Sequence, residues 1–392
     1  MNSTVLIDTK QQIADKIKEL KAVSGTHSPS IETVLKQLPQ VKIEVDACFL
    51  SNPYATDLFL DHLNKDLIET KLLRRTLEFY PPQNHDIADS ISTVTGISAK
   101  NIFAGNGAIE AIQAVLHNFL AKKIVVIIPT FSSYYEFVGE NVEVVFYKLQ
   151  KSEDYKLNVE DYIKFVKKEK PDTIVLINPN NPNGGYILQS DVNKIITELN
   201  FVSNLIIDES FIHFAHESEA MEEVSCGSLI AANPNLIIVK SMSKDFGIAG
   251  LRAGYAIMNE ERVAKLLKNG YLWNVSGLAD YFFKLYANDY FRKKYDVVRK
   301  KYITETSTFL NDLQSIEGIK TYPSKANFAL VEFLNETTSF DFTVSLLVDN
   351  GIYVRDCSDK IGLEGQFVRV ASRTLEENKL ITAAFREKFQ YQ

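Results

Sequence analysis

Between about residue 85 and residue 260, short apolar runs alternate with stretches of helical periodicity. The runs are almost uninterrupted, which is typical of strands buried on both faces of a parallel sheet. They cover residues 123–128, 142–146, 173–177, 204–207 and 236–239. Several end where a motif begins, at Pro129, Asn178, Asp208 and Lys240. Because ligands bind at the carboxyl ends of strands in open α/β sheets, this pattern predicts a binding site at that edge.

The first forty residues have a different pattern. Apolar residues recur three and four positions apart between Gln11 and Val23, which predicts an amphipathic helix. A stretch rich in Ser, Thr, Gly and Pro at 24–30 then interrupts the helix. We expect residues 1–40 to form a helical arm that docks on the body of the protein or on a second subunit. A loosely attached terminus is an equally open alternative.

The pattern changes again in the C-terminal part. After about residue 290, a long charged helical stretch precedes strand-like segments at 328–333 and 367–371, which indicates a smaller α+β domain. We therefore predict an α/β protein with a large domain over residues 76–285. Residues 41–75 together with 286–392 are predicted to form the small domain.

Composition narrows the classes of partner. The net charge of −7 and the scattered Lys and Arg residues argue against a surface for nucleic acid or anionic membranes. The three cysteines lie far apart and without metal-ligand spacing, which suits buried thiols in a reducing cytoplasm and predicts no metal site. No signal peptide or long apolar run is visible. We expect a cytoplasmic protein that binds neither nucleic acid nor membrane.

Lys244 carries the most chemical information. It lies in the segment SMSKDFG at 241–247, downstream of Asp208 at the end of an apolar run and of Asn181. A lysine amine can form a Schiff base with the aldehyde of pyridoxal 5′-phosphate (PLP), and a shielded carboxylate can keep the cofactor's pyridinium nitrogen protonated. The three residues therefore predict a PLP site, although an isolated aspartate at a strand end is also a common helix N-cap.

Neighbouring residues suit the cofactor's phosphate. Ser241 and Ser243 offer hydroxyl groups, and Arg252 offers a planar fork that matches phosphate geometry. A glycine-rich turn precedes the predicted helix that runs to His117, and its amides can hold a phosphate at the positive end of the helix dipole. The amides concerned belong to Gly107, Ala108 and Ile109. Many glycine-rich turns are only turns, which is the alternative here.

Two further residues suit the cofactor's ring. Phe131 follows a predicted strand, so its side chain can stack on the pyridine ring, or else pack in the core. Asn181 can donate its side-chain amide to the phenolic O3′ oxygen. It also lies in an Asn-Pro-Asn-Gly stretch that favours a turn, and both roles can hold at once.

These motifs resemble those of fold-type I PLP enzymes in the class I and II aminotransferase superfamily. The resemblance runs from about residue 41 to the C-terminus and is greatest to the histidinol-phosphate aminotransferase and threonine-phosphate decarboxylase branch. It implies a large PLP-binding domain with a mostly parallel, seven-stranded sheet flanked by helices. It also implies that Lys244 carries the Schiff base, that Asp208 and Asn181 hold the ring, and that Arg252 binds the cofactor phosphate.

The resemblance also implies a homodimer with shared active sites. In that family a tyrosine of one subunit reaches the cofactor phosphate of the other, and Tyr80 matches it in the segment FYPPQ. Arg369 matches the arginine that binds the substrate carboxylate, and Arg355 matches one that binds a substrate phosphate. Tyr54 resembles a tyrosine of the same pocket. Each arginine could instead form a surface ion pair. Two anion-binding arginines imply a phosphorylated amino acid as substrate.

One position favours a particular reaction. Aminotransferases of this branch carry Tyr at the fourth position of the Asp-Glu motif, whereas Phe211 here matches the threonine-phosphate decarboxylase pattern. We therefore predict decarboxylation of an O-phospho-amino acid, either O-phosphoserine to ethanolamine phosphate or O-phosphothreonine. The alternative is an aminotransferase acting on a phosphorylated or phosphonate amino acid. A PLP-free binding protein is a further alternative, which the intact set of site residues disfavours.

Overall fold

The computed structural model describes residues 3–25, 27–215 and 224–390. The chain divides into two units, one made of residues 51–181 and 185–302 and the other of residues 1–50, 182–184 and 303–392. Residues 1–2 and 26 of the predicted arm, 216–223 of the predicted large domain and 391–392 of the predicted small domain lie outside the described residues. The domain limits drawn from the sequence stay a prediction.

The strands follow the apolar runs. In chain order they are β1 (Val45–Ala47), β2 (Ile102–Asn106), β3 (Lys123–Ile128), β4 (Glu143–Lys148), β5 (Thr173–Ile177), β6 (Asn204–Asp208), β7 (Leu236–Ser241), β8 (Ala253–Ile257), β9 (Ile319–Thr321), β10 (Phe328–Phe333), β11 (Ile352–Asp356) and β12 (Gln366–Ala371). Residues of β5, β6 and β7 are buried throughout, as uninterrupted apolar runs predict for strands covered on both faces.

The described α-helices range from 4 to 26 residues in length. In chain order they are α1 (Ser3–Ser24), α2 (Ile31–Gln37), α3 (Pro53–Leu63), α4 (Leu73–Glu78), α5 (Asn84–Thr95), α6 (Gly107–Phe119), α7 (Ser133–Glu136), α8 (Val159–Glu169), α9 (Gln189–Glu198), α10 (Glu260–Lys268), α11 (Gly277–Tyr286), α12 (Asp289–Gln314), α13 (Ser339–Asn350) and α14 (Leu375–Gln390). Within the described ranges, no helix is both long and apolar enough to span a bilayer.

The larger unit contains a seven-stranded sheet in the order β2-β8-β7-β6-β5-β3-β4. Strand β8 runs antiparallel to both of its neighbours, and the other pairings are parallel, so the predicted mostly parallel sheet is confirmed. Asp208 pairs in register with Ile177 of β5 and Val239 of β7. The carboxyl ends of these three adjacent strands therefore lie side by side, which is where the sequence predicts the site.

Helix α6 packs on this sheet through an apolar face. Its buried residues Ile112 and Val115 belong to the same core cluster as Val126, Val175 and Val239 of the strands. Burial of each such side chain contributes roughly 1.5–3 kcal/mol. This packing fixes the N-terminus of α6 beside the carboxyl ends of the strands.

The smaller unit contains a five-stranded sheet in the order β1-β11-β12-β10-β9. Strands β1 and β11 pair in parallel, and the remaining pairs are antiparallel. Helix α1 covers the predicted amphipathic segment, and its Ile13 and Ile17 pack in one buried cluster with Val34 and Leu347. Lys21 near the end of α1 forms an ion pair with Asp356. The N-terminal helix is thus packed against its own unit.

Candidate active site

Asp208 is the last residue of β6 and lies at the centre of the candidate site. Its side chain is buried, with one carboxylate oxygen accepting a hydrogen bond from the Ser210 backbone amide at 2.8 Å. The other oxygen accepts from the Tyr134 hydroxyl at 2.9 Å. Burial raises the pKa of Asp208 above its usual value, and the hydrogen bonds from the hydroxyl and amide of Ser210 and from Tyr134 oppose the rise. A cation placed beside this carboxylate would favour its charged form.

Lys244 lies in a tight turn that follows β7. The Met242 amide donates to the Ala253 carbonyl at 3.1 Å, which ties the turn to β8. The Ser243 amide donates to the Ser241 hydroxyl at 3.2 Å, and the Asn52 amide donates to the Lys244 carbonyl at 2.9 Å. The backbone of Lys244 is therefore held from two sides, whereas its side chain is only half-buried.

A pocket in the larger unit brings most of the predicted residues together. It has about 580 Å³ of space, part of it open to solvent. The predicted site residues that line it are Ala108, Ile109, Phe131, Asn181, Asp208, Ser241, Ser243, Lys244 and Arg252. The residues that line it without having been predicted as ligands are Ile112, Ile177, Ser210 and Phe211. Residues from the ends of four strands and from the start of α6 thus converge on one cavity.

Gly107 and Arg252 approach each other at the rim of this pocket. Gly107 has φ of +78°, and a Cβ atom there would lie 2.5 Å from Nη2 of Arg252. Only glycine therefore fits this position without moving the guanidinium group. Since α6 begins at Gly107, its free amides and the Arg252 cation lie on the same side of the pocket, an arrangement suited to a phosphate.

The segments that carry Phe131 and Asn181 are joined to each other. The Thr130 hydroxyl donates to Oδ1 of Asn180 at 2.7 Å, and Nδ2 of Asn180 donates to the Pro129 carbonyl at 2.9 Å. These buried bonds hold the loop after β5 against the loop after β3. The two predicted ring contacts, one aromatic and one amide, are thereby fixed relative to each other.

These residues fit pyridoxal 5′-phosphate. The pocket offers a half-buried amine at Lys244 and a buried carboxylate at Asp208. A Cβ atom at Gly107 would fill the space beside Arg252, so glycine at this position leaves room for the close approach of a phosphate. Lys244, Asp208 and Arg252 would hold the cofactor's aldehyde, ring nitrogen and phosphate respectively, and Asn181 and Phe131 would contact the ring.

Tyr80 and Tyr54 lie elsewhere in the larger unit. Tyr80 is 89% exposed, and its ring centroid lies 6.2 Å from that of Trp273. Tyr54 contacts Tyr302 edge-on, with ring centroids 6.3 Å apart, and Nζ of Lys301 lies 3.9 Å from its ring centroid. Neither tyrosine is among the described residues that line the pocket. Their predicted roles stay predictions.

Arg355 and Arg369 belong to the smaller unit and are cross-strand partners on β11 and β12. Both are buried; Nη2 of Arg355 donates to Asp359 at 2.6 Å, and Nη2 of Arg369 donates to the Cys48 carbonyl at 2.8 Å. Lys360 is also buried, and burial together with nearby Arg355 lowers its pKa to about 8. This buried group of cations is an arrangement suited to an anion, and the sequence did not indicate Lys360 as a member.

The sequence also did not predict a buried charge cluster next to the turn that carries Lys244. Nζ of Lys240 lies 2.8 Å from Oδ2 of Asp245, and Nδ1 of His213 lies 2.5 Å from the same oxygen. All three side chains are buried. Burial alone would raise the pKa of Asp245, but Lys240 and His213 lower it to about 2. In the sequence, Lys240 stands out as a lysine at the end of an apolar strand. The local pattern does not identify Asp245 as its partner.

The chain belongs to the aminotransferase class I and II family, whose model matches residues 51–384. The predicted family is confirmed, and with it an enzyme dependent on pyridoxal 5′-phosphate. The chain is 55% identical to the L-serine phosphate decarboxylase of Campylobacter jejuni, over 98% of this chain and 99% of that one.

Two further comparisons agree. The solved structure of a decarboxylase from Sulfurospirillum multivorans matches with a TM-score of 0.94 and 42% identity, and covers the whole of both chains. A histidinol-phosphate aminotransferase from Thermoanaerobacter sp. is 32% identical over 79% of this chain and 84% of its own length. The predicted branch of the superfamily is therefore confirmed.

Proposed function

We propose that the protein is a PLP-dependent decarboxylase of L-serine phosphate. The reaction converts O-phosphoserine to carbon dioxide and ethanolamine phosphate, with a proton taking the place of the carboxylate at Cα. Similarity along almost the whole chain to a relative named for this activity is the observation that carries the proposal. The pocket that holds Lys244, Asp208 and Arg252 supports it, because these groups match the cofactor that the family uses.

The chain's own residues have distinct tasks in this reaction. Lys244 supplies the amine that attaches the cofactor, and its Nζ would hold the proton delivered to Cα. When bound, the cofactor supplies an electron sink for the pair of electrons left by the departing carbon dioxide. Asp208 keeps the ring nitrogen protonated, and Asn181 and Phe131 orient the ring. Arg252 and the amides at the start of α6 bind the cofactor phosphate.

The substrate's two anionic groups require further cations. We propose that Arg369 binds the carboxylate and Arg355 the phosphate, with Tyr54 contributing to the same recognition. The burial of both arginines supports this, because buried guanidinium groups are stabilised by anions. Lys360 adds a third buried cation near Arg355, which suits the dianionic phosphate.

Phe211 supports decarboxylation over transamination. It lines the pocket and is buried, so no hydroxyl stands at the position where aminotransferases of this branch carry tyrosine. Loss of that hydrogen bond removes only about 1 kcal/mol of interaction, so Phe211 adjusts the cofactor's electronic properties without by itself selecting the bond that breaks.

The decisive experiment follows carbon and nitrogen separately. The protein with PLP is incubated with O-phosphoserine labelled in its carboxyl carbon, in the absence of any 2-oxo acid. We expect labelled carbon dioxide and ethanolamine phosphate in equal amounts. A strict requirement for 2-oxoglutarate, with glutamate formed and the label retained, would show an aminotransferase instead. O-Phosphothreonine and histidinol phosphate complete the substrate panel.

A second experiment tests the lysine directly. Borohydride reduction of the protein with PLP should fix the cofactor to the peptide containing Lys244, as found by mass spectrometry. Lys244→Ala should lose both the label and the activity. Lys268→Ala, a change on the exposed end of α10, should lose neither. Labelling of a different lysine would overturn the assignment.

We also propose that the enzyme is a homodimer in which Tyr80 serves the partner's cofactor phosphate. The segment around Tyr80 exposes several large apolar side chains, as a surface that is covered by another chain does. These are Leu72, Leu77, Phe79 and Tyr80. Sedimentation should show a dimer. Tyr80→Phe should weaken PLP binding without dissociating the dimer. A monomeric active enzyme would contradict this proposal.

A cytoplasmic location is proposed as well. Cys48, Cys226 and Cys357 are all buried thiols. Free thiols of this kind persist in a reducing compartment. Fractionation of the producing cells should recover the enzyme with other cytoplasmic proteins, and recovery from an oxidising compartment would contradict the proposal.

A further inference from the structure

Tyr134 has a relationship to the site that its sequence motif does not suggest. It lies in the short helix α7, and its side chain is fully buried, with 0% exposure. Its hydroxyl donates to Oδ2 of Asp208 at 2.9 Å, across 74 positions of sequence. Tyr134 is not among the described residues that line the pocket, and its hydroxyl meets the site through Asp208.

The Ser210 amide and the Tyr134 hydroxyl bond to different oxygens of Asp208, and the Ser210 hydroxyl also bonds to this carboxylate. The Ser210 amide bonds to Oδ1 from two positions along the same chain segment, and Tyr134 bonds to Oδ2 from a different element. A carboxylate held at both oxygens has its plane fixed. Hydrogen bonds to a charged carboxylate also favour the charged form, which burial disfavours.

We propose that Tyr134 is a positioning residue that holds the Asp208 carboxylate in its orientation and in its charged form for the ring nitrogen of the cofactor. The inference rests on the proposed function, because it takes PLP as the bound group. Without the Tyr134 hydroxyl, Asp208 would be left with the amide and hydroxyl of Ser210, both from its own loop, and would be protonated more easily.

The protonation states around Asp208 agree with these roles. Burial and the Asp208 carboxylate raise the pKa of Tyr134 well above its ordinary value, so its hydroxyl keeps the proton and remains the donor. The hydroxyl and amide of Ser210, and then Lys240 on the neighbouring β7, also lower the pKa of Asp208. Lys240 is itself paired with Asp245 at 2.8 Å, so it compensates another carboxylate at the same time. Tyr134 therefore supplies a stabilisation that Lys240 does not replace.

The experiment measures cofactor affinity rather than turnover. Apoenzyme is titrated with PLP by absorbance between about pH 5.5 and 8.5, for wild type, Tyr134→Phe and Tyr135→Phe. Tyr135 is the matched control, because its ring packs on Phe146. We expect Tyr134→Phe to weaken PLP binding about tenfold or more at the acidic end, since hydrogen bonds to charged groups are strong. The difference in PLP affinity between wild type and Tyr134→Phe should become smaller as the pH rises, because Asp208 then ionises in both proteins.

Two further variants separate positioning from folding. In an Asp208→Asn background, Tyr134→Phe should cause little additional loss, because its target charge is gone. 3-Fluorotyrosine at position 134 keeps the hydroxyl donor and nearly the shape of the ring, so it should keep the wild-type affinity, and thermal unfolding of each apoenzyme shows whether Tyr134→Phe folds.

The outcomes are distinct. Wild-type affinity and pH profile in Tyr134→Phe would overturn the inference and leave the proposed function standing. A loss equal at every pH, with a lower unfolding temperature of the apoenzyme, would show a purely structural role and also overturn it. If the wild-type protein bound no PLP, the proposed function itself would fail.

Discussion

Arg355 and Arg369 lie directly opposite each other on the antiparallel strands β11 and β12, with both side chains buried. Like charges at directly opposite positions destabilise a sheet, and burial increases the repulsion. Asp359 offsets part of it through its bond to Arg355. The smaller unit therefore maintains two facing cations whose remaining repulsion a bound anion would relieve.

The first prediction concerns this pair. Arg355→Ala should raise the KM for O-phosphoserine at least about 30-fold, because truncating one partner of a buried charged hydrogen bond is costly. The dissociation constant of PLP should change little. Arg386→Ala, on the exposed face of α14, is the control and should change neither quantity. Equal losses for substrate and cofactor would contradict the role given to Arg355.

The second prediction concerns the phosphate cradle, formed by the start of α6 at Gly107 and by Arg252. Gly107→Ala places a Cβ 2.5 Å from Arg252 and imposes a left-handed conformation that costs a non-glycine residue about 1–2 kcal/mol. PLP affinity, measured by titration of apoenzyme, should fall by about tenfold or more. Gly250→Ala is the matched control, because a Cβ there has open space. If both variants bound PLP normally, the cradle would not be the phosphate site.

The third prediction is a pH dependence of stability. Burial, and then the nearby Lys240, lower the pKa of His213 from 6.5 to about 4. The unfolded chain therefore binds more protons between these values, so the free energy of unfolding should decrease as the pH falls from about 6.5 towards 4. His213→Gln should reduce this slope in urea denaturation curves at matched pH values. An unchanged slope would assign the acid sensitivity to another group.

The fourth prediction concerns the carboxylate of the same cluster. Asp245→Asn would leave the buried Lys240 ammonium without its counter-charge, and we expect the free energy of unfolding to fall by about 3–5 kcal/mol. Asp57→Asn, on the exposed side of α3, should change it little. The free energy of unfolding of each variant is measured by chemical denaturation of the apoenzyme. A loss no greater than that of the control would show that Lys240 is compensated elsewhere.

The sequence predicted the larger sheet well because its strands are buried on both faces. Such strands leave uninterrupted apolar runs, and the residue that ends each run marks a strand end. Asp208 was found in this way, since a charged residue directly after an apolar run is conspicuous. Lys244 was found from its segment, SMSKDFG at 241–247, together with Asp208 and Asn181 upstream. The family motifs then supplied Arg252 and Asn181, which no periodicity would identify.

Long-range pairings could not be predicted in the same way. The bond between Tyr134 and Asp208 and the contact of His213 with Asp245 depend on how distant segments pack, and local pattern contains no record of it. The register that places Arg355 opposite Arg369 has the same origin. The buried state of Lys360 was also hidden, because lysines in loops are usually solvated.

The carboxyl ends of β5, β6 and β7 have one more implication. Asp208 is still within its strand, so the hydrogen-bond ladders on both sides set its position to within the spacing of the sheet. Insertions in the surrounding loops would leave that ladder unchanged. Changes in these loops could therefore alter substrate specificity while the position of Asp208 beside the coenzyme stayed constant. Directed evolution of new specificities should succeed first in those loops.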